Sequence, residues 1–265
     1  MMTGIRLVLA LIIILIATMF LVPLQWISRL LDISLAQKLP QIWHKLVLRL
    51  IGVRVHVHGK FSQAHPLLLV CNHVSWVDIL VMGSVRSLCF IAKSEINSWP
   101  VINKMAKLQG TVFIDRANRR DTVNQADTIA ARLLHGDVMV LFAEGTTGDG
   151  NKILPFNSSL FGAAQYAVRQ SRLEKAMVQP VAITYTRLHG LPLGRRFQSL
   201  ASWPGNVALA PHLMTFLGKS AFDVDVVLGT PIEFTAMTNR KHIAIDANRQ
   251  VAAMFGEAKR HNILS

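Results

Sequence analysis

The chain has 265 residues, of which 51% are hydrophobic and 16% charged, and its mean hydropathy is +0.37. This composition excludes a disordered chain and is too apolar for an ordinary cytosolic enzyme, so we expect membrane contact. The net charge of +13 fits an anionic lipid surface or an acidic partner, whereas scattered basic residues and only 7% aromatic residues argue against a nucleic-acid-binding protein.

An uncharged apolar run occupies residues 7–24 and predicts a membrane-anchoring helix at the lower length limit for a bilayer. It continues into Pro23, Gln25 and Trp26 rather than an Ala-x-Ala cleavage site, which favours a retained anchor over a signal peptide. Basic residues accumulate after the run, so we expect the rest of the chain on the cytoplasmic face of the inner membrane. Residues 1–50 then form the anchor with amphipathic helices, and its depth in the bilayer stays open.

Strand and helix patterns alternate through the remainder. The predicted strands are Val53–His58, Leu67–Cys71, 88–92, 111–114, 138–142, 178–186 and Phe222–Leu228. The predicted helices are 99–108, Asp121–Leu134, 158–170 and 240–259. Strands separated by helices predict an α/β fold with a largely parallel central sheet flanked by helices, formed by residues 51–265.

Cysteine and histidine spacing gives no sign of a disulfide framework or a metal site. Cys71 and Cys89 lie in apolar strand-like runs and are expected to be buried, reduced thiols. Cys71 precedes His73 by two residues, but a cysteine that ends a Leu-Leu-Leu-Val run is expected to be inert rather than a nucleophile. His56 and His58 have no ligand partners at zinc spacing and are expected on the polar face of a strand.

Polar residues follow three of the predicted strands directly. These sets are 72–78, 115–120 and 143–150. In open α/β sheets, ligands bind beyond the carboxyl ends of the strands. The sequence therefore predicts a functional site at this edge of the sheet.

His73 and Asp78 are the candidates for acid–base chemistry. A spacing of five corresponds to about 140° on a regular helix, so the two side chains meet only if the helix begins between them. Ser75, with Asp78 three residues later, resembles a capping box and predicts such a start. A carboxylate that fixes the tautomer of an imidazole makes a general base. Taken alone, however, this spacing more often marks a helix cap beside a structural histidine.

Four motifs resemble those of the glycerolipid acyltransferase family. They are Asn72-His73-x4-Asp78, Phe113-Ile114-Asp115-Arg116, Phe142-Ala143-Glu144-Gly145-Thr146 and Gln179-Pro180-Val181-Ala182-Ile183. The resemblance covers residues 60–230 and implies an acyltransferase domain with His73 as base and Asp78 as its orienting group. It also implies acyl carrier protein or coenzyme A thioester as donor, with no metal or bound cofactor. The implied substrate-binding residues are Asn72, Arg116, Arg119, Glu144, Gly145, Thr146 and Thr147.

One departure from the family pattern bears on the acceptor. Members that form phosphatidic acid usually carry arginine after Glu-Gly-Thr, and this chain has Thr147 there. Residues 144–164 resemble the branch that O-acylates lyso-ornithine lipid, which has no phosphate. We therefore predict the formation of ornithine lipid from its lysolipid. The alternatives are a 1-acylglycerol-3-phosphate acyltransferase, which would use Arg116, Arg119 or Arg120 for phosphate, and a non-catalytic basic membrane-binding protein.

Overall fold

The structure is a computed structural model that describes residues 4–114, 121–170, 175–205 and 207–264. Its α-helices are α1 (Gly4–Leu30), α2 (Leu35–Ile51), α3 (Val77–Val85), α4 (Pro100–Leu108), α5 (Asp121–Leu134), α6 (Phe161–Gln170), α7 (Leu209–Lys219) and α8 (Arg240–Leu264). Its strands are β1 (Val53–His58), β2 (Leu67–Cys71), β3 (Cys89–Lys93), β4 (Val112–Ile114), β5 (Met139–Phe142), β6 (Ala176–Leu188), β7 (Leu191–Pro192), β8 (Phe222–Leu228) and β9 (Ile232–Phe234).

The strands form one mixed sheet in the order β1-β8-β6-β2-β5-β3-β4, with β7 and β9 paired to β6. Strands β6, β2, β5, β3 and β4 are mutually parallel, and β8 runs antiparallel to β6. The predicted α/β class with a largely parallel sheet is confirmed. The carboxyl ends of β2, β5 and β3 share one edge of this sheet, which is called the carboxyl edge below.

Both faces of the sheet are covered, which explains why β2 has no exposed residue. Leu67, Leu69 and Cys71 pack into a core beneath α2 and α3, whereas Leu68 and Val70 pack into the opposite core beneath α5, α6 and α8. The polar residues that follow β2 are therefore held by a strand that is fixed on both faces.

The N-terminal helix α1 is longer than the apolar run from which it was predicted, and it continues through Pro23. By length and composition it can cross a membrane, and most of its apolar side chains are exposed. Its C-terminal half is attached to the domain, because Gln25 and Arg29 donate hydrogen bonds to the carbonyl of Leu108 at the end of α4. Helix α2 reaches Ile51, so the predicted boundary at residue 50 falls inside its last turn.

Several elements differ from the predicted pattern. Strand β6 is 13 residues long, and β9 and α7 were not predicted. Strand β9 has only three residues, too few for a periodic pattern, and α7 contains a proline and a glycine that weaken a helical pattern. Strand β6 extends beyond its predicted end because β8 pairs with it as far as Leu188.

Candidate active site

The candidate site is built where β2 and β5 end side by side. Cys71 is in register with Phe142, and the Ala143 N–H donates to the Cys71 carbonyl at 3.0 Å. His73 and Glu144, which lie 71 positions apart, therefore meet at the carboxyl edge. The Glu144 carboxylate accepts the His73 backbone N–H at 2.9 Å.

His73 and Asp78 form a hydrogen-bonded pair across the start of α3. His73 Nδ1 lies 2.8 Å from Asp78 Oδ2. The same oxygen accepts the backbone N–H groups of Val74 at 2.6 Å and Ser75 at 2.8 Å. The carboxylate thus closes the turn, as in a capping box, and contacts the imidazole too. Because a carboxylate only accepts, Nδ1 carries the proton in the neutral ring and Nε2 keeps its lone pair.

Asp78 has a further partner that lies far away in sequence. The Tyr185 hydroxyl, from β6, donates to Asp78 Oδ1 at 2.8 Å. Both side chains are buried, and burial together with the Asp78 charge raises the pKa of Tyr185 well above its usual range. Tyr185 therefore remains a hydrogen-bond donor to the carboxylate at any working pH.

The imidazole of His73 is held from the side as well. Its ring stacks on Phe142, with ring centroids 4.0 Å apart and planes 17° apart. The His73 side chain retains 16% of its surface exposed, whereas Asp78 has none. The geometry leaves the imidazole in reach of a substrate and the carboxylate out of reach.

Glu144 links the loop that contains His73 to the loop that contains Leu154. Oε2 accepts the His73 N–H, and Oε1 accepts the Leu154 N–H at 2.8 Å. Burial raises the pKa of Glu144 to about 7; the two N–H groups oppose that rise, and the charges of Asp78 and Asp149 add to it. The carboxylate that was predicted to bind the acceptor thus has each oxygen engaged with the backbone of the site.

Known proteins resemble this chain in sequence. The model of the acyltransferase family matches residues 53–184. The chain is 49% identical over 238 residues to the lyso-ornithine lipid O-acyltransferase of Brucella abortus (strain 2308), covering 90% of this chain and 89% of that protein. It is 42% identical over 243 residues to the lyso-ornithine lipid O-acyltransferase of Rhizobium meliloti (strain 1021), covering 92% and 83%. The chain belongs to the acyltransferase family.

The fold agrees with this assignment. A crystal structure of the 1-acyl-sn-glycerophosphate (LPA) acyltransferase PlsC from Thermotoga maritima superimposes with a TM-score of 0.62 over 97% of this chain and 98% of that chain. The two sequences are 18% identical, so this likeness concerns the fold. The sequence relatives make the protein an acyltransferase, and its candidate site lies at the carboxyl edge of its sheet.

The other predicted site residues take different positions in the acyltransferase. Asn72 is fully buried, and its side-chain amide exchanges two hydrogen bonds with the backbone of Ile183, at 2.9 and 2.8 Å. Its role in the structure is thus to join β2 to β6, which differs from the predicted substrate contact. Gly145 adopts a left-handed conformation, with φ of 71°. Thr146 is exposed and Thr147 is 9% exposed, so the two threonines face opposite ways. Arg116 and Arg119 lie outside the described residues.

Neither cysteine offers a nucleophile to the acyltransferase. Cys71 is fully buried, and burial with the nearby Asp78 charge raises the pKa of its thiol well above the usual range. Burial likewise raises the pKa of Cys89 to about 11. His56 and His58, which are exposed on β1, pair with the buried carboxylates of Asp223 and Asp225 on the neighbouring β8. In the described part of the chain, no three His, Cys, Asp or Glu side chains are arranged to hold a metal ion.

Proposed function

We propose that this acyltransferase moves a fatty acyl group from an acyl thioester to the hydroxyl of a lysolipid, most specifically lyso-ornithine lipid, with His73 as general base. The observation that carries this proposal is the bond between His73 Nδ1 and Asp78, because it leaves Nε2 as the accepting nitrogen of a side chain that is 16% exposed. The two relatives that match 90% and 92% of the chain are named lyso-ornithine lipid O-acyltransferases.

The proposed reaction needs no enzyme nucleophile. Nε2 of His73 accepts the proton of the acceptor hydroxyl while that oxygen attacks the thioester carbonyl. The tetrahedral intermediate expels the thiolate, which takes the proton from the imidazolium, so the products are the ester and a free thiol. Asp78 stabilises the imidazolium and orients the ring. Acyl carrier protein or coenzyme A carries the thioester in this proposal, and comparing the two donors at equal concentration identifies the one used.

Substitutions at the pair test the mechanism. His73→Ala should lower kcat by a hundredfold or more, within the roughly 10²–10⁴ range of general-base catalysis. Asp78→Asn should also lower kcat strongly, because an amide can present its N–H to Nδ1 and stabilise the wrong tautomer. His242→Ala is the matched control, because His242 is an exposed histidine on α8. Near-normal turnover by folded His73→Ala would refute the mechanism.

The choice of acceptor rests on the absence of a cation at position 147. A phosphate-binding arginine would contribute roughly 1.5–3 kcal/mol through a charge-assisted pair, which Thr147 cannot supply. Arg116, Arg119 and Arg120 support the second candidate, the formation of phosphatidic acid from 1-acylglycerol-3-phosphate. The ratio of kcat/KM for lyso-ornithine lipid and lysophosphatidic acid decides between them. Because Thr147 is buried, the unmodified enzyme is a better test than Thr147→Arg.

A non-catalytic membrane-binding protein is the competing class. The intact His73–Asp78–Tyr185 arrangement argues against it, because closing the turn requires only the backbone bonds to Asp78 and not its bond to the partly exposed imidazole of His73. Membranes that contain the protein should consume acyl donor when lysolipid is added. Membranes that contain His73→Ala should not, whereas a binding protein would show no difference between the two.

We also propose that α1 anchors the enzyme to the inner membrane with its catalytic domain on the cytoplasmic side. The exposed apolar surface of α1 and the basic residues that follow it support this proposal. Deletion of residues 1–24 should weaken membrane retention without abolishing it at low salt, because the basic surface still attracts anionic lipid. Complete release at low ionic strength would show that this charge contributes little.

A further inference from the structure

A tight turn of Gly148, Asp149 and Gly150 lies beside His73. The Gly148 N–H donates to the backbone carbonyl of His73 at 2.8 Å, so the turn is hydrogen-bonded directly to the residue that carries the candidate base. Gly148 and Gly150 are buried, whereas Asp149 is exposed. The turn thus presents a carboxylate at the surface next to the candidate base.

Gly150 and the Asn151 N–H restrict the position of Asp149. Gly150 has a φ of 71°, and a Cβ atom at this position would lie 3.1 Å from both Gln198 Oε1 and Val74 Cγ1. A larger residue would therefore be strained and would push the turn away from Val74 and Gln198. The Asp149 Oδ1 atom also accepts the Asn151 N–H at 2.9 Å, which limits the rotation of the side chain.

Asp149 differs from the other two acids of the site, because its carboxylate is not hydrogen-bonded to His73 or to the turn that follows His73. Asp78 and Glu144 are engaged by the backbone around His73. Within the described ranges, Asp149 has no salt bridge within 4 Å, although its charge adds to the rise in the pKa of Glu144 and opposes the fall in the pKa of Lys259. An exposed carboxylate so close to the site is open to a ligand.

The surroundings of the turn are rich in acceptor atoms. Asn151 Oδ1 and Gln198 Oε1 are buried and have no hydrogen-bond partner in the part of the chain that the structure describes. The ammonium group of Lys259 donates to the Gly150 carbonyl from the other side of the turn. Burial lowers the pKa of Lys259 to about 8, the nearby Asp149 charge opposes that change, and Arg195 adds to it.

We propose that Asp149 binds the cationic amine of the acceptor's amino-acid head group while the acceptor hydroxyl lies at His73. The inference rests on the proposed function. The free side-chain amine of an ornithine head group is an ammonium with three donors and no acceptor, which matches a carboxylate bordered by further oxygens. The carboxylate of the ornithine head group could pair with the cations Arg195 and Lys259.

The test combines a protein variant with a changed acceptor. Asp149→Asn removes the charge at nearly constant shape, and acetylation of the lyso-ornithine amine removes the charge of the ligand. In the unmodified enzyme, acetylation should raise KM by about tenfold, the order expected for one charge-assisted contact at a partly exposed site. In Asp149→Asn, KM for the natural acceptor should rise by a similar factor, and acetylation should have little further effect. Asp149→Glu should restore part of the loss.

Glu233→Gln is the matched control, because Glu233 is also an exposed carboxylate. It lies on β9, which pairs with the amino end of β6, at the edge of the sheet opposite to the carboxyl edge. This control should respond to acetylation as the unmodified enzyme does. An equal rise in KM for both acceptors in Asp149→Asn, or no rise for either, would overturn the inference. If the unmodified enzyme uses lysophosphatidic acid and not lyso-ornithine lipid, the proposed acceptor itself is wrong, and that result is visible before any variant is made.

Discussion

The hydroxyl of Tyr185 and the carboxylate of Asp78 are hydrogen-bonded at 2.8 Å inside the core, although 107 positions separate them. This bond engages Oδ1, while Oδ2 contacts the imidazole of His73 and two backbone N–H groups. Four donors therefore converge on one carboxylate that has no exposed surface. The orientation of His73 depends on β6 as well as on its own turn.

Tyr185→Phe should lower kcat about tenfold with little change in KM, because Asp78 loses the donor that fixes its Oδ1 and therefore orients the imidazole less well. A hydrogen bond to a charged group contributes roughly 1.5–3 kcal/mol, which sets the size of the expected loss. Asp78 would then interact more strongly with the imidazolium, so the acidic limb of the pH–rate profile should move to higher pH. Thr184→Val is a suitable control, since the Thr184 hydroxyl is buried on the same strand without a hydrogen-bond partner among the described residues. An unchanged pH profile would reduce Tyr185 to a packing role.

Glu144→Gln should change how stability depends on pH. The pKa of Glu144 in the folded protein is about 7, above its ordinary value of 4.5, so the folded state holds this proton more tightly. This stabilisation of the folded state is fully present below pH 4.5 and is lost as the pH rises through 7, and it amounts to about 3 kcal/mol in all. The stability advantage of the unmodified enzyme over Glu144→Gln should therefore shrink from pH 5 to pH 8 in urea unfolding. A constant difference would contradict the raised pKa.

His44 should show the opposite dependence. It is buried on α2 with Nε2 3.0 Å from Gln109 Oε1, and burial lowers its pKa from 6.5 to about 4. Between these values the unfolded chain binds a proton that the folded chain does not, so stability falls as the pH drops from 6.5 to 4. The unmodified enzyme should lose on the order of 2–3 kcal/mol relative to His44→Gln over this range. If the free energies of unfolding of the two proteins changed with pH in the same way, His44 would not be held neutral in the folded state.

Cys71→Ala should retain most of the acyl transfer activity, because the thiol is buried and its pKa is raised. A modest loss of stability, roughly 1–2 kcal/mol, should follow from the cavity that the smaller side chain leaves in the core. Turnover and thermal unfolding measure the two effects separately. A folded but inactive variant that no longer becomes labelled by acyl donor would establish a covalent acyl-cysteine step and exclude direct attack by the acceptor.

Local patterns were sufficient for most of the regular elements. β1, β2, β8 and α5 have the predicted bounds, because alternating or continuous apolar runs and flanking polar residues are local properties of the sequence. The start of α3 between His73 and Asp78 also follows from local chemistry, since the Asp78 carboxylate accepts the Ser75 N–H in the manner of a capping box.

The sequence by itself determined the α/β class, the order of the strands along the chain and the candidate pair His73 and Asp78. Only the tertiary structure decided which other side chains reach that pair. Tyr185 is one of several buried strand residues in the sequence, and it becomes a donor to Asp78 because β6 lies beside β2. Asn72 and Thr147 are buried for the same reason, because strand pairing and packing between distant segments set the direction of each side chain. These long-range contacts cannot be read from a local sequence pattern.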